Sequence, residues 1–452
     1  MADAARGQLS KQQQFEFDQA FKRLQSLVDL EEAAELFQQR AYTVYTASVV
    51  LWMLVLQRIQ PGASLENAVK HLLTTRPEDL PDNKRLDKGA DSQAICSFTA
   101  ARKLIPIEVA LWFAAEVTGG IIAATDPCFD GRRVFVVEGT TMALAPEKEL
   151  RKAFPPASNR IGQGACPIAR LKIFHELASG CALLPEVGPM FGPKAVSEAE
   201  LACRGIENLL PRSVVMGDTD YGIFGVAYQA HRCGHDFLFR MKKTNFRSLR
   251  CKAELADQNE YQKMYRHRWT PIKKNGQTNP ELPGDAVLEV WLHEIAVTKT
   301  LTLYLVTSLP HDALELARLF ERRYDAEIDI RNFKVVMDAE NIRANCVNTF
   351  LKELYTSVVV YNLTNQLRRE AAKLAKLSTR RLSFKGVWTT FQTFLLRHMH
   401  NDPAQWRAAF VNALGYAMNS KLPDRAGRGF RREAYRRRPS DAQSKKRKGP
   451  LS

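Results

Sequence analysis

Residues Arg132 to Pro146, RRVFVVEGTTMALAP, decide the fold. Val134 to Val137 predict a β-strand, Gly139 a turn, and the residues beyond it a second strand. Everything upstream has helical texture: Phe15 to Leu30, Glu31 to Gln57, Ser64 to Leu73 after the Pro61-Gly62 break, and Gln93 to Thr118 beyond a polar, turn-rich segment. The chain therefore passes from an all-helical region into an α/β one.

Working downstream, Ile168 to Leu177 and Cys181 to Glu186 predict a strand pair around Ser179-Gly180, followed by a helix near Ser197 to Leu210. SVVMGD is then a short, continuously apolar strand ending in Asp218, the kind found in the buried middle of an α/β sheet, where ligands bind beyond the strands' carboxyl ends. Glu138 and Asp218 thus both stand at predicted strand ends. Each also has an everyday reading as a turn or helix-cap carboxylate.

From His235 to Leu309 the texture is β-rich, and basic residues (Arg240, Lys242, Lys243, Arg247, Arg250, Arg266, Arg268) interleave with aromatics, a composition suited to phosphate contact and base stacking. Leu316 to Met337, LARLFERRYDAEIDIRNFKVVM, reads as one long helix started by Pro310 and Asp312. On that helix Phe320, Arg323, Glu327 and Lys334 fall within roughly 60° of one another, flanked by Leu316, Leu319, Tyr324, Ile328 and Ile330. Glu321, Arg322, Asp325 and Asp329 take the opposite, solvated side. A carboxylate on an apolar-flanked face is costly unless it is paired or binds a metal, although an ordinary Arg323–Glu327 pair would also account for it. Helices follow at 348–372 and 385–415.

Of the 452 residues 65 are basic and 49 acidic, a formal net charge of +16. That balance predicts a polyanionic partner, most simply nucleic acid. Residues 425 to 448 carry eleven Lys/Arg against two acids and read as a disordered basic tail. The eight cysteines show no CxxC spacing, which argues against a zinc ribbon or disulfide framework and for reduced thiols in a cytosolic protein. The N-terminus has no apolar signal region, and the most apolar run, Tyr42 to Leu56, is too short for a confident membrane span.

Three carboxylates, Glu138, Asp218 and Glu327, two at strand ends and one on a later helix, can converge on one or two Mg²⁺ ions, hard cations that prefer oxygen ligands and promote phosphoryl transfer. At this point VVEGTTMAL, VVMGDTDYG and FERRYDAEIDIRNFK, in that order, resemble the DDE transposases of bacterial insertion sequences, in the subgroup marked by Y-x2-R-x3-E-x6-K. GACPIARLKIFHELASG and LTLYLVTSL extend the resemblance over roughly residues 130 to 370.

The resemblance implies a ribonuclease-H-like α/β core carrying a β-rich insertion, flanked by N- and C-terminal helical regions. The domains would be 1–105 (helical, DNA-binding), 106–234 (first part of the core), 235–309 (insertion), 310–375 (rest of the core), 376–424 (helical) and 425–452 (basic tail). It implies Glu138, Asp218 and Glu327 as metal-binding catalytic acids for two Mg²⁺, with Mn²⁺ able to substitute. Arg323 and Lys334 would contact phosphates near the transposon end, with Tyr221, Arg240, Lys242 and Lys243 as further DNA contacts. The implied reaction is hydrolytic cleavage at transposon ends and attack of the freed 3′ hydroxyl on target DNA. The partners would be double-stranded DNA, as terminal inverted repeats and target, and a second copy in the synaptic complex; the site of action would be the bacterial cytoplasm, at the nucleoid. Two positions depart from the family: Phe320 stands where the signature has tyrosine, and Glu138 where the D-G-T motif has aspartate. Glutamate keeps the charge but adds a methylene, so the alternatives are a transposase-derived DNA-binding protein with impaired catalysis, or a ribonuclease-H-like nuclease without strand transfer.

Overall fold

The protein is described from a computed structural model, which covers residues 11–27, 43–60, 64–75, 95–160, 162–271, 282–298, 301–397 and 403–423 together with positions 30, 37, 62 and 80. The basic tail from 425, most of the turn-rich segment 76–92 and the glycine- and proline-rich loop 272–281 lie outside the described residues.

Helices α1 (Lys11–Leu27), α2 (Ala47–Ile59), α3 (Leu65–Thr75), α4 (Ile95–Leu104) and α5 (Ile107–Ala123) precede the first strand. The single helix expected from Gln93 to Thr118 is two, bent by 81° at Pro106, because proline has no N–H to continue the first helix but opens a second one readily. These helices do not stand apart. α1, α2, α4 and α5 pack on α12 (Val347–Leu374), with α3 against α2 and α4; α12 is buried along most of its length and also receives α13 (Phe384–Arg397) and α14 (Pro403–Asn419). Among the described residues no single helix is long and apolar enough to cross a membrane; α4 and α5 pass such a test only as a bent pair.

The α/β expectation holds as one mixed sheet of nine strands. In chain order they are β1 (Val134–Ala143), β2 (Ile168–Glu176), β3 (Glu186–Pro189), β4 (Val214–Gly217), β5 (Asp236–Arg240), β6 (Glu254–Gln258), β7 (Gln262–Trp269), β8 (Leu288–Ala296) and β9 (Thr302–Thr307). Across the sheet they run β3-β2-β1-β4-β5-β9-β8-β7-β6. The β1–β2–β3 meander is antiparallel, with the short helix α6 (Lys148–Ala153) between β1 and β2, whereas β1, β4 and β5 are parallel neighbours joined through helices α7 (Glu198–Ile206) and α8 (Phe224–Arg232). β4 is buried throughout, as a strand covered on both faces must be. Side chains alternate across the sheet: Phe135, Val137 and Val215 enter the larger core, and Val134, Val136 and Met216 a smaller one capped by α10 (Ala313–Glu321).

Three local expectations need correction. First, Gly139 makes no turn: β1 runs unbroken to Ala143, because Gly139 to Ala143 pair residue by residue with Lys172 to Ile168. Second, β5 begins inside the stretch expected as an insertion, yet pairs in parallel with β4, so β6 to β9 extend one continuous sheet. KKTNF is not strand, since Lys243–Arg250 forms helix α9. Third, Cys181 to Glu186 forms no strand beyond an isolated His175–Ala182 bridge; β3 starts at Glu186.

The long helix from Leu316 to Met337 is also segmented. Asp312 caps α10 through backbone N–H groups of Leu314 and Glu315, as the start signal predicts. At Arg322 the ladder tightens to i→i−3 bonds, α11 (Arg323–Arg331) follows, and Asn332–Val336 widens into a π turn. Overwinding and then underwinding shift the helical phase, so straight-helix arithmetic fails past Arg322. Asp329, expected in solvent, is 1% exposed and paired bidentately with Arg380 at 2.6 and 2.7 Å, while Tyr324 and Ile328 face outward. Arg380 lies 51 residues on in sequence, a partner that periodicity cannot reveal.

Candidate active site

Glu138 lies mid-strand on β1, in phase with Val134 and Val136, and so points to the face covered by α10 and α11. β4 runs parallel to β1 with Val136 opposite Met216, and two residues further along that register Asp218 comes alongside Glu138. Asp218 sits in a tight turn whose side chain accepts the Asp220 N–H at 3.0 Å. Glu327 arrives from above on α11, which packs over β1.

What joins the acids is Arg323. Its Nη1 donates to Glu138 Oε1 at 2.5 Å and its Nη2 to Glu327 Oε1 at 2.6 Å, so one guanidinium spans two carboxylates 189 positions apart in the chain. Burial pushes the Glu138 carboxyl up to about 7; Arg323 pulls it back, and the charges of Asp218 and Glu327 add to the rise. Burial opposes charge on Arg323, but its hydrogen bond to Glu327 and the charges of Glu138 and Asp218 together raise it above its ordinary value. The three acids therefore form one electrostatic unit carrying more negative charge than a single guanidinium cancels. Among the described residues no three His, Cys, Asp or Glu side chains converge in metal-ligating geometry.

Lys334, in the π turn, reaches β1 from the same side: its Nζ donates to Thr141 O at 3.2 Å and pairs with Glu340 at 3.2 Å. Arg240 ends β5, and Lys242 and Lys243 open α9; exposed Lys242 stands 3.5 Å from Asp220, two residues beyond Asp218, so this basic strip borders the acid end of β4. Tyr221, expected among the DNA contacts, is buried instead. Its ring packs under the Asp218 turn because Gly217 leaves room: a Cβ there would sit 2.7 Å from the ring. Trp269 is likewise a core residue, edge-on to Phe224.

Lys172 is the residue that sequence reasoning passed over. It is fully buried on β2, directly opposite Gly139, and its ammonium donates to Tyr221 Oη at 2.6 Å, pairs with Glu198 and lies 4.9 Å from the Tyr221 ring centroid. Burial first, and then the charges of Glu138, Glu198 and Asp218, push the Tyr221 phenol far above its usual range, so it stays a neutral acceptor. The available signal is a lysine interrupting an apolar strand run, IARLKIF, across from a glycine. A Cβ on Gly139 would come within 2.1 Å of Lys172 Nζ. Gly139→Ala is therefore expected to lower stability by about 1–3 kcal/mol through overpacking, read from the urea midpoint, and the double variant Gly139→Ala/Lys172→Ala should cost less than the two single changes added together.

No protein-family model and no curated protein matches the sequence. Among solved structures, the chain aligns over 92% of its length, and over 78% of the other chain, with a chain in the cryo-EM structure of a piggyBac transposase synaptic complex with hairpin DNA, at 8% identity and a TM-score of 0.37.

Proposed function

We propose that the protein is a metal-dependent DNA transposase of the DDE type, with a ribonuclease-H-like core. The observation that carries the reading is the meeting of Glu138 and Asp218 on adjacent parallel strands with Glu327 brought over them by α11 and tied in through Arg323. An antiparallel meander continued by two parallel strands supports the core assignment.

The donor set fits hard divalent cations: it is all carboxylate oxygen, and burial, with the charges of Asp218 and Glu327 adding to it, raises the Glu138 carboxyl that a cation would stabilise in its ionised form. Glu138, Asp218 and Glu327 would hold Mg²⁺ or Mn²⁺, which supplies Lewis-acid stabilisation of charge on the phosphate under attack. Arg323, Lys334 and the strip Arg240, Lys242 and Lys243 would position the DNA backbone, and Tyr221 with Lys172 would hold the Asp218 turn from beneath. The substrate would be terminal repeats and target DNA, with two copies of the chain pairing two ends at the nucleoid.

Incubating the protein with its element's terminal repeats and Mg²⁺ or Mn²⁺ tests this: strand cleavage at the repeat ends is expected, and DNA bound but left uncut with both ions would sink the reading. The second reading, a DNA-binding protein that no longer cuts, is favoured by glutamate in the first acid position; restoration of cutting by Glu138→Asp in an inactive wild type would establish it.

The pH dependence follows from the sign of the Glu138 shift. A carboxyl whose folded pKa is raised to about 7 takes up a proton on folding, so its ionised form costs stability progressively as pH rises from its unfolded value through 7. Function needs that ionised form. Cleavage at subsaturating Mg²⁺, where proton and metal compete for the carboxylate, should therefore fall as pH drops through about 7, and a flat profile from pH 6 to 8, roughly centred on that value, would count against Glu138 as a ligand.

A further inference from the structure

We propose that Arg323 is an internal counter-ion that closes the acidic site to divalent cations until a DNA phosphate draws its guanidinium away. The inference rests on the metal-site reading above. The guanidinium uses one nitrogen on Glu138 Oε1 and the other on Glu327 Oε1, at 2.5 and 2.6 Å. Lone pairs engaged in charge-assisted hydrogen bonds cannot at the same time ligate a metal, and two cations in that space would repel each other. The carboxylates of Glu138 and Glu327 are accordingly aimed at Arg323, in keeping with the absence, among the described residues, of three acids converging in ligand geometry.

The side chain is held yet free to leave. It starts α11 immediately after the tightened turn at Arg322, its guanidinium carbon lies 5.9 Å from the Phe320 ring centroid, and 17% of the side chain remains exposed. Glu327, one of its two partners, is 42% exposed, so the outer half of the bridge faces water. A phosphate diester offers the same planar fork two oxygens and a full negative charge. Once the guanidinium engages phosphate, Glu138 and Glu327 are left without a counter-ion beside Asp218, and divalent cations become the favoured replacement. DNA and metal then bind with positive coupling, and by linkage each strengthens the other equally.

Binding of Mn²⁺ alone to the full-length protein at pH 8.5, without DNA, followed by the electron paramagnetic resonance signal of the free ion, tests the proposal. Arg323→Gln should bind Mn²⁺ about ten-fold more tightly than wild type. Arg323→Lys should fall between them, because a shorter point-charge ammonium cannot bridge both carboxylates. Circular dichroism checks folding, and either variant, if folded, suffices for the comparison. Mn²⁺ affinity no tighter than wild type in a folded variant overturns the proposal while leaving the metal site standing. Wild-type Mn²⁺ affinity in Asp218→Asn shows that the ion sits elsewhere and overturns the metal-site reading together with this one.

Discussion

Asp218→Asn is expected to reduce cleavage at the DNA ends by roughly a thousandfold or more, since a lost metal ligand removes several kcal/mol of transition-state stabilisation. The substitution is close to isosteric, and the side-chain oxygen that accepts the Asp220 N–H at 3.0 Å is retained, so the turn and the fold should persist. DNA affinity should hold or rise, because one negative charge leaves the border of the basic strip at Lys242. That divergence between cleavage and binding separates a catalytic role from a structural one. Glu327→Gln should behave alike, with one difference: the new amide oxygen can still accept from Arg323, so α11 stays anchored to β1 through the Arg323–Glu138 bridge. Gel-resolved cleavage alongside a mobility-shift titration measures both quantities. Cleavage that survives in either variant at wild-type rate would remove the carboxylate from the mechanism.

How much of this was readable in advance depends on how local each signal is. The apolar run of β4, the cap at Asp312 and the helix expected at 348–372 are short-range patterns, and each element stands where its pattern put it. The turn expected at Gly139 is absent because the strand needs this glycine not for conformational freedom but for its missing Cβ, in whose place the Lys172 ammonium lies. The site was legible as three acids in order but not as an arrangement. Arg323 could be paired with Glu327 by i,i+4 spacing, whereas its second partner, Glu138, is 185 positions away and on another element. Asp329 was misplaced for the same reason, its partner Arg380 belonging to a segment beyond α12. Periodicity reports which face of an element is apolar; it is silent about buried polar groups satisfied by distant ones.

The same limitation hides what binds the N-terminal helices to the rest of the chain, and it leads to the largest stability effect expected outside the site. Glu353, fully buried on α12, receives Arg58 of α2 at 3.2 Å and Arg102 of α4, and neighbouring Lys352 donates to the Arg102 carbonyl at 3.0 Å. Burial lowers the Arg58 guanidinium below its ordinary value, and Glu353, ahead of Asp338, is the main charge that opposes that shift. Glu353→Ala would leave two buried guanidinium groups without their ion-pair partner, at a cost of about 3–5 kcal/mol, a large part of the stability of an ordinary domain. Replacing all three, Arg58→Met, Arg102→Met and Glu353→Leu, removes the charges together and should recover most of that loss. Because the triad joins α2 and α4 to α12, the single variant should also expose the N-terminal helices to limited proteolysis before the nine-stranded sheet is cut. An unfolding free energy for Glu353→Ala within about 1 kcal/mol of wild type would mean that the two arginines find water or other acceptors, and that helices α1 to α5 are held to the core by their apolar contacts and by other pairs such as Arg23–Glu370.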